Sequence, residues 1–335
     1  MVLRSDTVHV FLGSLNRYLP MMHLTKLIVV CVAIGSLVYV NGIDLYVFSE
    51  ILWGSYVELS VSLIIFLFVT CLGGFRWFLL MQAVDVPISL RQCFRIHMIG
   101  MFFVFYVPGG GAGSDLIKAY YVHKESGKAS SLALTSIFID RVIGVYSLLL
   151  IGVVAIFVNQ KIPIEGAISS WNAWFYIIVF AFSSAIIGFF LTRSASRLFN
   201  TVWLKKLPFS SVLFGFISSI ERYRGKISVL FLSLVLSLFL HLMMILVFHF
   251  SAIALSLGIP FLVHAYLVPL LLLINLIPIT PGGLGVGEVA SFGLYSGVGF
   301  EGGGELFLLF HAYLFINSAL GAPFYFIHKN QDSMN

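Results

Sequence analysis

Apolar runs long enough to cross a bilayer recur along this chain, and two apolar stretches are interrupted in the same way. Pro108-Gly109-Gly110 and Pro281-Gly282-Gly283 stand 173 residues apart, and each is followed, seven residues after its proline, by an acid: Asp115 and Glu288. Hydrocarbon offers no water to a freed N–H or C=O, so a spanning segment must be helical, and an irregular break must be buried in protein or line a polar cavity. Proline removes a backbone donor and glycine releases the dihedral restrictions, so a helix can end at each break and restart beyond it. Such breaks are poor ways to cross lipid and good ways to build a polar site inside a membrane protein.

Composition supports that setting. Hydrophobic residues make up 60% of the chain and charged residues 10%, with a mean hydropathy of +1.03, which no ordinary soluble domain of this size needs. The fold class expected is all-α, a polytopic integral membrane protein. The 33 Phe and 14 Tyr are spread along apolar runs rather than gathered in basic stretches, so the pI of 9.1 does not indicate nucleic-acid binding. Cys31, Cys71 and Cys93 lack metal-ligand spacing and read as small packing residues. No metal and no cofactor is expected. The first strong apolar run begins near Leu27 and ends in Val-Tyr-Val-Asn-Gly without a small-x-small cleavage site, so it reads as a retained first transmembrane helix rather than a signal peptide.

About 20 residues of helix cross about 30 Å of hydrocarbon. Spans are expected near 27–42, 59–80, 132–157, 172–191, 229–255 and 306–327, and the intervals 92–121 and 261–300 carry the breaks. The chain reads as one membrane domain over 1–335, with a first part at 27–157, a basic connection at 192–228 and a second part at 229–327. With the N-terminus in the cytoplasm, Arg4, Arg17, Lys26, Arg91, Arg95, Lys118, Lys124, Lys128, the cluster from Arg193 to Lys226, and Lys329 all fall inside, while Lys161 falls outside. That asymmetry places both termini in the cytoplasm. The basic connection serves as a topology determinant, and its surface also suits anionic headgroups. Parity then leaves two versions: six full spans with two re-entrant hairpins from opposite faces, or eight spans. Charge counting does not separate them.

In Pro108-Gly109-Gly110-Gly111-Ala112-Gly113-Ser114-Asp115, the helix is expected to restart near Ser114 or Asp115. Lys118 lies three residues beyond Asp115, hence on the same face, where the two can pair or straddle a polar ligand. In the second break, Pro278 and Pro281 bracket Thr280, whose hydroxyl is expected to satisfy a freed backbone group. Gly282, Gly283, Gly285 and Gly287 lead to Glu288 in the first turns of the next helix. Two breaks with an acid at one offset indicate a duplicated, inverted unit around a shared cavity. The bland alternative is a pair of tight turns whose acids merely favour helix N-termini. Neither segment carries the Gly-x-x-x-x-Gly-Lys-[Ser/Thr] of a nucleotide phosphate loop, although a broken-helix terminus can aim amides at a lipid phosphate.

Asp140 and Arg141 admit two readings: an interfacial ion pair anchoring a helix, or Arg141 turned into the cavity toward a phosphate or a hairpin acid, with Asp140 orienting it. Arg76, beside Trp77, reads either as a snorkelling interface anchor or as a contact on the lipid path. His97, His241, His249, His264 and His311 are scattered without a dense ligand pattern. The default for each is a packed, hydrogen-bonded ring, with proton coupling the alternative for His241 or His264.

The two breaks, Asp140-Arg141-x-x-Gly144 and the pattern of spans resemble the transmembrane region of the lysylphosphatidylglycerol synthase and flippase family over approximately 27–327. In the multiple-peptide-resistance members, that region is linked to flipping of aminoacylated phosphatidylglycerol, and a separate soluble domain makes the ester. With the chain ending at Asn335, the resemblance implies a stand-alone flippase-like core of a prokaryotic plasma membrane. Its partners would be membrane lipids, a second copy of the chain or a separate lipid-modifying enzyme. The family's first break often reads Gly-Gly-[Asp/Glu] with an arginine close behind, whereas here Ser114 precedes the acid and Lys118 supplies the cation. Aminoacyl-lipid specificity is therefore not carried over, and a glycolipid or polyprenyl-linked substrate stays open.

Three functions compete. A translocase would pass a headgroup by Asp115, Lys118, Arg141 and Glu288. A membrane-embedded transferase acting on a polyprenyl-phosphate or glycerolipid would use Asp115 or Glu288 as base and Arg141 to hold phosphate, yet no nucleophile–base constellation accompanies them. A receptor or assembly scaffold would need none of these charges.

Overall fold

The computed structural model describes residues 54–107, 109–127, 130–158, 174, 176–181, 183–184, 221–277 and 280–334. The expected span near 27–42, most of that near 172–191, the basic connection up to residue 220, Pro108 and Pro278 lie outside the described residues.

Four long helices carry the apolar runs: α1 (Tyr56–Ala83), α4 (Ser130–Val158), α5 (Ile227–Ala254) and α8 (Gly303–Met334). Four shorter ones form the interrupted intervals: α2 (Leu90–Phe103), α3 (Gly110–Ser126), α6 (Phe261–Asn275) and α7 (Val286–Ser296), with a 3-10 turn at Pro281–Gly283. Each long helix is long and apolar enough to cross a bilayer, so this is an all-α polytopic membrane protein with at least four spans. Mean hydropathy is 2.2, 2.4 and 2.7 for the spans in α1, α4 and α5 but 1.5 for that in α8, which is also the most buried of the four. In the most apolar window of α8, 56% of residues are buried inside the protein, against 22–33% in the others. Helix α8 therefore faces protein, whereas Ile64 and Phe68 of α1 and Phe231 and Val235 of α5 point outward, as a lipid-facing surface requires.

The short helices pair off. Arg95 bonds Glu125 at 2.8 Å, and a Cβ on Gly100 would lie 2.7 Å from Lys118 Cγ, so α2 and α3 run antiparallel. His264 Nδ1 bonds the Tyr295 hydroxyl at 2.7 Å and Gly283 abuts Asn275, so α6 and α7 do likewise. At 11 to 17 residues these helices reach roughly 17–26 Å, short of the hydrocarbon thickness. The start of α2 is pinned by a capping box, Ser89 with Gln92, directly after the loop that leaves α1.

The two hairpins begin at opposite ends. Helices α1 and α5 are antiparallel: Ser55 Oγ donates to the Ala254 carbonyl at one end (2.9 Å), and the Tyr223 hydroxyl donates to the Leu80 carbonyl at the other (2.9 Å). Helix α2 follows the Ala83 end of α1 and α6 follows the Ala254 end of α5, so the hairpins point at each other. Their tips touch. A Cβ on Gly110 would lie 3.0 Å from Gly282 N, and one on Gly282 would enter the Phe105 ring. Both residues have left-handed backbones, at φ +53 and +66, so only glycine is both unstrained and small enough there.

One expectation shifts. Helix α3 restarts at Gly110 rather than at Ser114 or Asp115. Glycine costs about 1 kcal/mol in a helix, but an unpaired amide in hydrocarbon costs several, so the helix extends backward through Gly111, Ala112 and Gly113.

Helix α8 backs both hairpins. Ser318 Oγ donates to the Phe102 carbonyl of α2 at 2.9 Å, and Gly303 packs against Ser291 and Tyr295 of α7. Gly321 lies on the α2 backbone, where a Cβ would stand 2.9 Å from Phe102 N. Gly321→Val should force α8 off α2 and destabilise the fold by about 1–3 kcal/mol, whereas Gly293→Ala, with open space around it, should be neutral or slightly stabilising. Thermal midpoints of the purified variants in detergent check both.

Candidate functional site

Polar clusters flank the contact between the hairpin tips. In the first, Asp115 projects from α3 just past the glycine turn and is buried. Lys118, one turn on, places Nζ 2.6 Å from its Oδ1, and Arg141 of α4 places Nε 2.9 Å from its Oδ2. Arg141 Nη2 also reaches the Gly111 carbonyl at 3.5 Å, so a side chain from a long helix takes up backbone at the break. Lys118 Nζ sits 5.1 Å from the Trp77 ring centre, a cation–π contact.

Behind this triad, Arg76 of α1 grips Asp140 of α4 with two parallel bonds, Nε to Oδ1 at 2.8 Å and Nη2 to Oδ2 at 2.9 Å. Its Nη1 bonds Ser237 of α5, and Trp77 Nε1 donates to Ser136 Oγ at 3.1 Å. Arg76 is thus no snorkelling anchor: it and Trp77 are buried, because Asp140 and Ser237 supply inside the bundle the partners that an isolated helix would seek at the interface. Nor do Asp140 and Arg141 act together. Neighbouring helical residues point about 100° apart, so Asp140 turns to α1 while Arg141 turns to α3.

Formal charges in this cluster do not cancel. Arg76, Lys118 and Arg141 face Asp115 and Asp140, leaving one positive charge in excess. The side chain of Arg141 is 42% exposed while that of Asp115 is 10% exposed, so the open cation is held by a closed acid.

The second cluster belongs to the other hairpin. Glu288 is the third residue of α7, and its Oε2 accepts from Gly285 N at 2.8 Å, which satisfies a backbone donor freed by the break. Its Oε1 lies 2.7 Å from His311 Nδ1 of α8, and His311 Nε2 donates to the Gly282 carbonyl at 3.0 Å. His311 was not separable by sequence from the other histidines.

The remaining expected residues divide. Thr280 Oγ1 does not satisfy a freed backbone group; it is buried without a hydrogen-bond partner among the described residues. The carbonyl of Thr280 instead accepts from Gly283 N at 3.1 Å. Ser114 Oγ donates to the Gly111 carbonyl at 3.0 Å, which steadies the glycine-rich turn containing Gly113. His241 Nδ1 contacts Ser147 Oγ at 2.7 Å, and His97 packs on Gly74. Among the described residues, no three His, Cys, Asp or Glu side chains are grouped to hold a metal.

The family model for the lysylphosphatidylglycerol synthase TM region matches residues 24–321 of this chain. No curated protein and no solved structure matches it.

Asp140→Leu alone leaves Arg76 buried without its carboxylate and should cost about 3–5 kcal/mol, whereas adding Arg76→Met should recover most of the loss. A double-mutant cycle on denaturation midpoints in mixed micelles measures the difference.

Proposed function

Because the chain belongs to the lysylphosphatidylglycerol synthase transmembrane-region family, we propose that it is a lipid translocase that carries an anionic headgroup between leaflets. The cargo would be an anionic phospholipid, a glycolipid headgroup, or an aminoacylated lipid, whose phosphate stays anionic although its amino acid adds positive charge. The observation that carries this reading is the surplus positive charge of the cluster among the described residues, with Arg141 its most exposed member, held by Asp115 where two oppositely opening hairpins meet. A buried surplus charge is unfavourable in a membrane. A phosphodiester, bearing one negative charge and planar-compatible oxygens, offsets it and matches the arginine fork.

In this reading α2–α3 and α6–α7 are re-entrant hairpins from opposite faces, within six to eight spans, and both termini are cytoplasmic. The halves form an inverted repeat. Tyr56 and Ile227, Leu90 and Phe261, and Ser130 and Gly303 begin corresponding helices 171 to 173 residues apart, the same spacing as the breaks, while α1 and α5 run in opposite directions. Such repeats bind at their interface and expose the site alternately by moving one half against the other. The headgroup would pass Arg141, Lys118 and Asp115, then Glu288, with Arg76 and Asp140 holding α4 in place and Thr280 offering a hydroxyl. The tails would stay in lipid. An outer groove lined by Cys71, Phe75, Leu90, Arg91 and Phe94 has the apolar walls and basic rim that suit a lipid approaching α2. A prokaryotic plasma membrane, and a second copy or a separate lipid-modifying enzyme as partner, complete the proposal.

Purified protein in phosphatidylcholine–phosphatidylglycerol liposomes should accelerate leaflet exchange of fluorescent phosphatidylglycerol. Asp115→Asn, Arg141→Gln and Glu288→Gln should each slow it at least about tenfold, the loss of one charge-assisted contact, with unchanged elution on size exclusion. Wild-type protein that accelerates neither anionic phospholipid nor glycolipid probes, or variants that exchange at the wild-type rate, would overturn the reading.

A further inference from the structure

The contacts of His311 fix how many protons it shares with Glu288. The Gly282 carbonyl can only accept, so His311 Nε2 carries a hydrogen. Nδ1 faces Oε1 at 2.7 Å, a contact that requires one further proton between them. That proton can sit on either atom, giving a carboxylic acid with a neutral imidazole or a carboxylate with an imidazolium. The pair is neutral in both forms, and each side chain is 3% exposed. Without the proton, two lone pairs face each other in a site with little water, and the bond that orients the ring toward Gly282 is lost. Gly282 is the residue that touches Gly110 of the first hairpin.

A polar route leads to this pair from the Ala254 end. Ser291 and Tyr295 follow Glu288 at three and seven residues, on one face of α7, and both are fully buried. The Tyr295 hydroxyl bonds His264 of α6, whose ring lies 5.5 Å from that of His249 of α5. His249 Nδ1 and Ser291 Oγ are buried without hydrogen-bond partners among the described residues. Orphaned polar atoms need a reason in a membrane protein, and such atoms beside the His264–Tyr295 bond and on the Glu288 face of α7 suit proton passage.

We propose that Glu288 and His311 form a proton-carrying site, fed along Ser291, Tyr295 and His264, whose occupancy pins or frees the Gly282 tip against the first hairpin. One proton enters the Oε1–Nδ1 contact from the Ala254 end and leaves it to water at the hairpin-tip contact as Gly282 parts from Gly110, without any redox change. Other titratable groups on the packed elements are Glu305 and Tyr313 of α8, Tyr266 of α6, and Asp115, Lys118 and Arg141 around the first tip. For its cargo this inference rests on the lipid-translocase reading; for its proton it does not.

The full chain in the same liposomes, loaded with a pH-reporting dye and given an imposed pH gradient, tests it. Wild-type protein should admit protons faster than empty liposomes, and the gradient should change fluorescent phosphatidylglycerol exchange several-fold. Glu288→Gln and His311→Gln should abolish proton entry, and Ser291→Ala, which deletes one hydroxyl, should slow it several-fold. Lipid exchange without proton entry and indifferent to the gradient overturns the proton site and leaves the lipid reading standing. Proton entry lost in Glu288→Gln and His311→Gln, with no lipid exchange in wild type, keeps the proton site and removes the lipid reading. Normal proton entry in a size-exclusion-intact Glu288→Gln variant overturns the assignment to this pair.

Discussion

Hydrocarbon leaves no backbone polar group to solvent, and that constraint organises the protein around its two glycine breaks. At the first break, Arg141 reaches the Gly111 carbonyl. At the second, Glu288 takes the Gly285 amide and His311 the Gly282 carbonyl. The side chains that complete the broken backbone are the same ones that form the polar clusters. Fold and candidate site are therefore joined: the ionisable side chains that complete the broken backbone are held inside the bundle by Asp115 in the first cluster and by the Glu288–His311 contact in the second.

The halves share a plan and differ in chemistry. Each places an acid shortly after its break and draws a base from the following long helix. In the first half that base is Arg141 of α4, joined by Lys118 of α3 itself. Arginine is permanently charged and presents a fork of donors, which suits holding an anion. In the second half the base is His311, whose two ring nitrogens contact Glu288 and the Gly282 carbonyl. On the proposed reading, the first tip holds a fixed cation and the second a movable proton, and the direct contact between Gly110 and Gly282 joins the two clusters.

Much of the framework was legible in the residues. Spans expected near 59–80, 132–157, 229–255 and 306–327 correspond to helices at 56–83, 130–158, 227–254 and 303–334. Each helix is longer at its start because hydropathy marks the hydrocarbon, while the helix continues through residues that no longer need to be apolar. The break at Gly282 and the early position of Glu288 in α7 were equally plain, since proline and glycine act locally. The restart of α3 at Gly110 was not, because glycine propensities measured in water misstate what a backbone prefers without water.

Apolar run length, the paired Pro-Gly-Gly motifs and the acids behind them were determined by sequence alone, because each is a local property: transfer free energy, dihedral freedom or charge at a given position. The pairing of Arg76 with Asp140, of Arg141 with Asp115 and of His311 with Glu288 was decided by tertiary structure. An arginine beside an aspartate in sequence looks like its partner, yet on a helix the two diverge by about 100° and each meets whatever helix packs on its own side. Which helix that is depends on the crossing of α1, α3 and α4 in space, and no spacing along the chain encodes it.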